Sequence, residues 1–251
     1  MLKTLSTLSE FLQKEPTAIK DKRVISTEQQ NLNITPTHYV DTPFEKATFG
    51  MGCFWGADAL FGATQGVLRT RVGYSGGTKQ DPRYRNLGDH VEVIEIDYDP
   101  KKISYKELLE LFWNNHEYGL CTKVKRQYMS LVLYHSVEQK AIAEASKTEE
   151  QERRSSEVIV TEIAPASVFY PAEDYHQKYH LQSHKDLSTS LGLNSELLQK
   201  SHVAAKLNGY LIGVGSVQQF LSEADNLGLT PSQKDYVHYH AQKNEGGGLF
   251  C

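Results

Sequence analysis

A strand that runs straight into a helix is the feature that most restricts what this chain can fold into. It lies at Thr48-Phe49-Gly50-Met51-Gly52-Cys53-Phe54-Trp55-Gly56, with a β-type approach at 47–49 and a helix expected over about 56–61. Gly50 and Gly52 permit positive φ and close backbone approach, so the chain can turn sharply between the two elements. Cys53 is thereby expected at or beside the helix N-terminus, where backbone N–H groups and the positive dipole end favour an anion. A thiol so placed loses its proton more readily, and the thiolate is the nucleophile. Phe54 and Trp55 are expected to wall the sulfur with apolar surface that suits a neutral substrate group. Unpaired cysteines are also among the most buried residues, so a structural Cys53 packed in a core is the competing reading.

Downstream, residues 66–74 read as a strand ending in Tyr74-Ser75-Gly76-Gly77, a loop signal that continues through Asp81, Pro82, Tyr84 and Arg85. The next strand, over 91–98, puts Glu92 on the face of Ile94, Ile96 and Tyr98, with Glu95 and Asp97 opposite. Burial on that apolar face would raise the pKa of Glu92 and keep it protonated, as a general acid requires. A carboxylate at a strand end that reaches water is the alternative. Residues 104–116 predict a helix opened by a Ser104–Glu107 capping box, with a core stripe of Tyr105, Leu108, Leu109, Phe112, Trp113 and His116. A loop through Cys121 then leads to a strand over 128–134 and to a polar helix over 136–154 with Ser136 and Gln139 as a second box. A strand over 157–163, a loop over 165–171 and a short helix over 172–183 complete this part. The β-α-β-β-α-β order predicts an α+β fold, a two-layer sandwich with a ferredoxin-like core and helices on one face of a mainly antiparallel sheet.

The remaining chain changes to a C-terminal helical extension, with helices expected over 194–206, 216–227 and 231–242 and with Gly209, Gly213, Gly215 and Gly228 as separators. The organisation expected is an N-terminal arm over 1–44, a catalytic domain over 45–185 and an extension over 186–251 that packs on it. Cys251 ends the chain behind Gly246, Gly247 and Gly248. A tether of about five residues reaches at most about 17 Å, so this thiol can search a volume. A tail whose cysteine has no role is the alternative.

Charge excludes some classes. With 27 basic against 31 acidic residues there is no nucleic-acid footprint, and no apolar run is long enough for a membrane span. Three widely spaced cysteines fit thiol chemistry in an intracellular protein better than a disulfide scaffold or a zinc site. The first twelve residues are weakly amphipathic, lack arginine and include Glu10. A cytoplasmic location is therefore expected, with a mitochondrial one as the minor alternative. Neither metal nor organic cofactor is expected, and the chain is expected to be a monomer.

Several strings, in order, resemble the signatures of A-type peptide methionine sulfoxide reductases. They are Gly-Met-Gly-Cys-Phe-Trp-Gly at 50–56, Gly-Tyr-Ser-Gly-Gly at 73–77, Gly-Asp-His-Val-Glu at 88–92, Phe-Trp-Asn-Asn-His at 112–116, Gln127-Tyr128 and Phe-Tyr-Pro-Ala-Glu-Asp-Tyr-His-Gln at 169–177. The resemblance covers about residues 45–180. It implies that the Cys53 thiolate attacks the sulfur of a methionine S-sulfoxide while protonated Glu92, helped by the Tyr84 and Tyr128 hydroxyls, gives a proton to the oxygen. It further implies that Phe54 and Trp55 hold the substrate methyl, that Cys53 becomes a sulfenic acid, and that a second thiol converts it to a disulfide recycled by thioredoxin.

Two departures from the family pattern bear on this. The usual recycling cysteines soon after the Tyr-His-Gln segment are absent, which makes Cys251 the expected resolving thiol and Cys121 the runner-up. Lys123 stands five residues before Tyr128, where many relatives carry an Asp, and is expected to make the rim of the site basic. Other readings are weaker. His90 and Glu92 make a His-x-Glu pair without the following Pro-Cys-x-x-Cys of zinc deaminases. His176 and His180 are helix-spaced without the Glu of a metalloprotease, and satisfied helix histidines are expected there and at His238 and His240. A peroxide-reducing thiol protein would be oxidised faster by peroxide than by methionine sulfoxide, and a binding module would not need Cys53.

Overall fold

The structure is a computed structural model that describes residues 35–116 and 125–247. Its centre is one six-stranded sheet. Strand β1 (Glu45–Met51) leads into helix α1 (Phe54–Ala63), then β2 (Val67–Ser75), β3 (Val91–Tyr98), α2 (Tyr105–Asn114), β4 (Ser130–Tyr134), α3 (Val137–Arg153), β5 (Glu162–Pro165) and β6 (Tyr170–Pro171). The strand order is β5-β4-β1-β3-β2-β6. The middle four strands are all antiparallel, which is the ferredoxin-like arrangement of two interleaved β-α-β units. Strand β5 adds in parallel to β4, and β6 adds antiparallel to the β2 edge.

Alternation along the strands builds the main core on one face. Phe49, Val72, Ile94 and Ile96 meet Phe61 of α1 and Leu108 and Phe112 of α2 in one buried cluster. The other face carries a small apolar patch of Val91, Val93, Leu131 and Leu133 beside an ion-pair network. In that network Lys46 bridges Glu95 and Asp97 at 2.9 and 2.7 Å, while Arg71 and Arg69 hold one carboxylate each. The Ser104–Glu107 and Thr230–Gln233 capping boxes form as their spacing predicts.

The rest of the chain, from the end of the expected catalytic domain into the extension, folds as α4 (Tyr179–Ser183), α5 (Lys185–Ser190), α6 (Leu197–Lys200), α7 (His202–Tyr210), α8 (Val217–Glu223) and α9 (Pro231–Asn244) around a second cluster that includes Leu207, Tyr210, Phe220 and Val237. Helix α1 lies between the two cores, and nine of its residues are buried, which accounts for its nearly unbroken apolar sequence. Residues 37 and 38 pin the arm to the extension, where His202 N–H donates to the His38 carbonyl and Thr37 N–H to the Leu227 carbonyl.

Five sequence expectations shift, each for a physical reason. Tyr128 sits in a 3-10 turn (Arg126–Tyr128) ahead of the strand. Arg126 draws that turn aside by donating to the Gly76 and Asp89 carbonyls and to Glu162. The strand expected over 157–163 shrinks to Glu162–Pro165, because α3 side chains satisfy the preceding backbone. Gln151 binds the Glu157 carbonyl and the Ile159 N–H, and Lys147 donates to the Thr161 carbonyl. The helix over 172–183 is broken by Lys178 at φ 50, whose side chain is claimed by a buried carboxylate. The helix over 194–206 is interrupted at Ser201, which is extended (ψ 124) and caps α7 through Ala204 N–H.

Gly209 does not separate helices. It lies inside α7, where a Cβ would come within 2.3 Å of the Ala59 carbonyl oxygen of α1. Gly209→Ala therefore forces α1 and α7 apart and should destabilise the fold by about 1–3 kcal/mol, the ordinary cost of overpacking. Denaturant unfolding reads this directly. An unchanged midpoint would mean that the two helices separate without cost.

Candidate active site

The turn from β1 into α1 makes the site. Gly52 takes φ 88, a backbone that L side chains rarely adopt, and a Cβ on Gly50 would press within 2.8 Å of Val91 Cγ1. Cys53 is then the N-cap of α1, extended at φ −63 and ψ 122, and its side chain is partly exposed. Cys53, Phe54, Trp55, Tyr84, Glu92 and Tyr128 line a single cavity of about 380 Å³. The six residues singled out for catalysis and substrate binding within the described chain thus meet in one hollow, although they come from four separate segments. Cys251 and the runner-up Cys121 lie outside the described residues, as does Lys123.

Glu92 is 1% exposed. It does not reach water at the strand end, because β3 is covered from its first residue, with Tyr74 of β2 directly opposite. Burial pushes its carboxyl up to about 7, against the opposing effect of two hydrogen bonds. Phe54 N–H donates to Oε2 at 3.2 Å and the Gln127 amide donates to Oε1 at 2.6 Å. The helix that presents Cys53 thereby also holds the acid, through the N–H of the next residue.

The Tyr84 and Tyr128 hydroxyls are hydrogen-bonded to each other, and burial followed by that bond holds the Tyr128 phenol well above its usual range. Tyr128 therefore remains an O–H donor at neutral pH. Glu173 pins the Tyr84 loop by accepting from the Tyr84 N–H at 3.2 Å while it also accepts from Tyr74 Oη at 2.8 Å.

Two residues of the aromatic wall lie outside the set that the sequence points to. The Trp55 indole N–H donates to His176 Nδ1 at 3.1 Å, and its ring stacks on Tyr179 with centroids 3.7 Å apart and planes 1° from parallel. His176 packs against Phe54 and Tyr84 as well. Burial keeps the His176 imidazole below its usual pKa, so it accepts from the indole in its neutral form. The signal for both residues lies in the segment around Tyr175-His176-Gln177, whose sequence pattern predicts one helix. The Lys178 break instead turns His176 and Tyr179 onto the same indole. His180 hydrogen-bonds the Trp55 backbone. Among the described residues no group of three His, Cys, Asp or Glu side chains could hold a metal ion.

The segment that carries these histidines is fixed from below. Gln177 reads the β2 edge as a strand would, accepting from the Val72 N–H and donating to the Val72 carbonyl. Lys178 Nζ reaches Asp58 of α1 at 3.0 Å and the Thr70 carbonyl at 2.6 Å, and both members of the ion pair are fully buried.

Chemically, the hollow brings together a sulfur at a helix N-terminus, a buried carboxyl whose pKa is raised to about 7 and two phenols, between aromatic walls. That arrangement suits a small neutral group with a polarised oxygen and an apolar methyl. Comparison with known proteins agrees. The family model described as Peptide methionine sulfoxide reductase matches residues 45–206, and the model described as Selenoprotein methionine sulfoxide reductase A, helical domain, matches residues 192–239. A Drosophila melanogaster peptide methionine sulfoxide reductase is 63% identical over 233 residues, covering 93% of this chain and 95% of that one. Peptide methionine sulfoxide reductase A5 of Arabidopsis thaliana is 39% identical, covering 77% and 78%. Among solved structures, Mxr1 from Saccharomyces cerevisiae in reduced form superposes with TM-score 0.52 at 26% identity, over 57% of this chain and 88% of that one. Methionine sulfoxide reductase A of Corynebacterium diphtheriae gives 0.52 at 29%, over 59% and 82%.

Proposed function

The chain belongs to the peptide methionine sulfoxide reductase family, and from that premise we propose how its own residues carry out the reaction and its recycling. The Cys53 thiolate attacks the sulfur of a methionine S-sulfoxide, free or in a protein. Glu92 gives its proton to the sulfoxide oxygen, whose charge rises in the transition state, and the Tyr84 and Tyr128 hydroxyls donate to the same oxygen. Phe54 and Trp55 hold the methyl, with Trp55 kept in place by His176 and Tyr179. Oxygen passes to the Cys53 sulfur, so the substrate sulfur is reduced by two electrons to methionine and Cys53 is oxidised by two electrons to sulfenic acid. The observation that carries this reading is the single hollow shared by Cys53, Glu92, both tyrosines and both aromatics.

The second half-reaction is assigned to Cys251. Its thiol attacks the sulfenic sulfur, water leaves, and a disulfide forms that thioredoxin reduces. Gly247 lines a cavity together with His180, the residue hydrogen-bonded to the Trp55 backbone beside Cys53. From Gly247 four residues remain to Cys251, a reach of at most about 14 Å. Cys251→Ser should then release about one methionine per enzyme and stall in the presence of thioredoxin. Mass mapping of the oxidised enzyme should show a Cys53–Cys251 link, and a Cys53–Cys121 link would instead give the role to Cys121.

The organisation that goes with this reading is an arm over 1–44, a catalytic domain over 45–185 and an extension over 186–251 that delivers the second thiol. The enzyme is proposed to act in the cytoplasm, on the strength of its three widely spaced cysteines, and as a monomer. No helix among the described residues is long and apolar enough to cross a membrane. The whole scheme is tested by NADPH consumption with thioredoxin and thioredoxin reductase on separate sulfoxide epimers. The S epimer should turn over and the R epimer should not. Oxidation by peroxide much faster than by either epimer would favour a peroxide-reducing thiol protein instead.

A further inference from the structure

Gln127 is a partly exposed residue on the 3-10 turn Arg126–Tyr128, where a glutamine side chain would ordinarily be solvated. Here its amide nitrogen instead lies 2.6 Å from Oε1 of a carboxyl that is 1% exposed. Its position is fixed from both sides. Arg126 fastens the turn to the Gly76 and Asp89 carbonyls, and the Tyr128 hydroxyl is tied to Tyr84 at the far side of the hollow. The other donor to Glu92 is the Phe54 backbone N–H, which belongs to the helix that carries Cys53. The two donors reach different oxygens and so determine the plane of the carboxyl.

We propose that Gln127 is a positioning residue for sulfoxide reduction: its amide orients the Glu92 carboxyl and stabilises the carboxylate that remains once the proton has gone. The inference rests on the reading of Glu92 as the acid. In that step the O–H bond of Glu92 breaks, its electron pair stays on the carboxylate and the proton goes to the sulfoxide oxygen. A donor at 2.6 Å interacts more strongly with the carboxylate than with the neutral acid, so its contribution grows as the proton leaves. Burial alone would leave Glu92 a weak acid that parts with its proton reluctantly. Gln127 and the Phe54 N–H oppose that effect, and their opposition to burial is the direction recorded for this carboxyl. The titratable groups facing Glu92 are Cys53, Tyr84 and Tyr128 in the same cavity and Tyr74 directly opposite on β2, and Glu92 contributes to holding the Tyr74 and Tyr128 phenols above their usual range.

The test is single-turnover methionine formation from an S-sulfoxide peptide across pH 5–9, in the wild type, Q127M, E92Q and the double variant. Methionine nearly matches glutamine in shape and removes only the donor. Q127M should slow the step about tenfold on the acid side and move the alkaline limb up by about one pH unit, as loss of one hydrogen bond to a charged group implies. In the E92Q background the same change should add less than about twofold, since its partner is already neutral. Carbon-13 titration of the Glu92 carboxyl should show the same upward shift, and it reads the effect even if Q127M turns over too slowly to follow. A limb present in the wild type but unmoved in Q127M would overturn the role of Gln127 alone. A wild-type profile without a limb that E92Q removes would overturn the acid assignment beneath it.

Discussion

Glu92→Gln should lower kcat by about 10²–10⁴-fold and leave KM within a few-fold, the range expected when a positioned general acid is lost. Gln keeps the size of the side chain and can still accept from Phe54 N–H, so the hollow keeps its shape. What disappears is the proton, and that proton matters only as charge develops on the sulfoxide oxygen. The loss therefore falls on the transition state and not on binding. An unchanged kcat would remove Glu92 from the chemistry, and a raised KM alone would make it a binding group.

The same substitution has an opposite effect on stability, and its sign follows from linkage. Glu92 has a folded pKa raised to about 7 from 4.5. Between those values the unfolded chain has released the proton while the folded chain retains it, so stability falls as pH rises through that window. Below about 4.5 both states are protonated and the effect is absent. Above about 7 the buried charge costs about 3 kcal/mol, at roughly 1.4 kcal/mol per pKa unit. Glu92→Gln should therefore raise Tm at pH 8 and change it little at pH 4. A variant less stable than wild type at both pH values would contradict burial as the cause of the shift. The residue proposed as the acid would thus weaken the fold at the pH where it is proposed to act, a trade seen where sites hold buried polar groups.

How much of this was legible in the sequence depends on whether the determining interactions are local. The N-cap position of Cys53 follows from two glycines and a helix start, and the face of Glu92 follows from the period of two in β3. Both are local patterns and both appear in the structure. The depth of Glu92 was not legible, because it depends on Tyr74 lying opposite and on Gln127 arriving from a turn 35 residues away. The 172–183 segment misled for a similar reason. Its helical pattern is real, but Lys178 is drawn inward by a carboxylate 120 residues earlier in the chain. Glycine 209 reads as a breaker in sequence and becomes a contact surface only when α1 is brought against α7. In each case a distant partner overrides a local preference, which periodicity cannot register.

Lys178→Met should cost about 3–5 kcal/mol, the usual penalty for leaving one member of a buried ion pair uncompensated. For a chain of this size that is a Tm loss on the order of 10 °C. Asp58 lies in α1 with no exposure and collects the Lys178 ammonium, the Lys178 N–H at 3.0 Å and the Thr70 hydroxyl at 2.5 Å. Without the ammonium its charge has no counterpart in the interior. The left-handed backbone at Lys178 also loses the side-chain anchor that offsets its strain. The double change, Lys178→Met with Asp58→Asn, should recover most of the loss, since no charge is then buried and an amide oxygen can still accept from the backbone N–H. If the double variant is no more stable than the single one, packing and not charge is what the pair provides. The site should feel the change as well. His176 and Tyr179 flank Lys178 and hold the Trp55 indole, so the single variant should raise KM for sulfoxide peptides more than it lowers the rate of the proton-transfer step. The aromatic wall proposed to hold the methyl would thus depend on a fully buried charge pair one helical turn along α1 from Phe54.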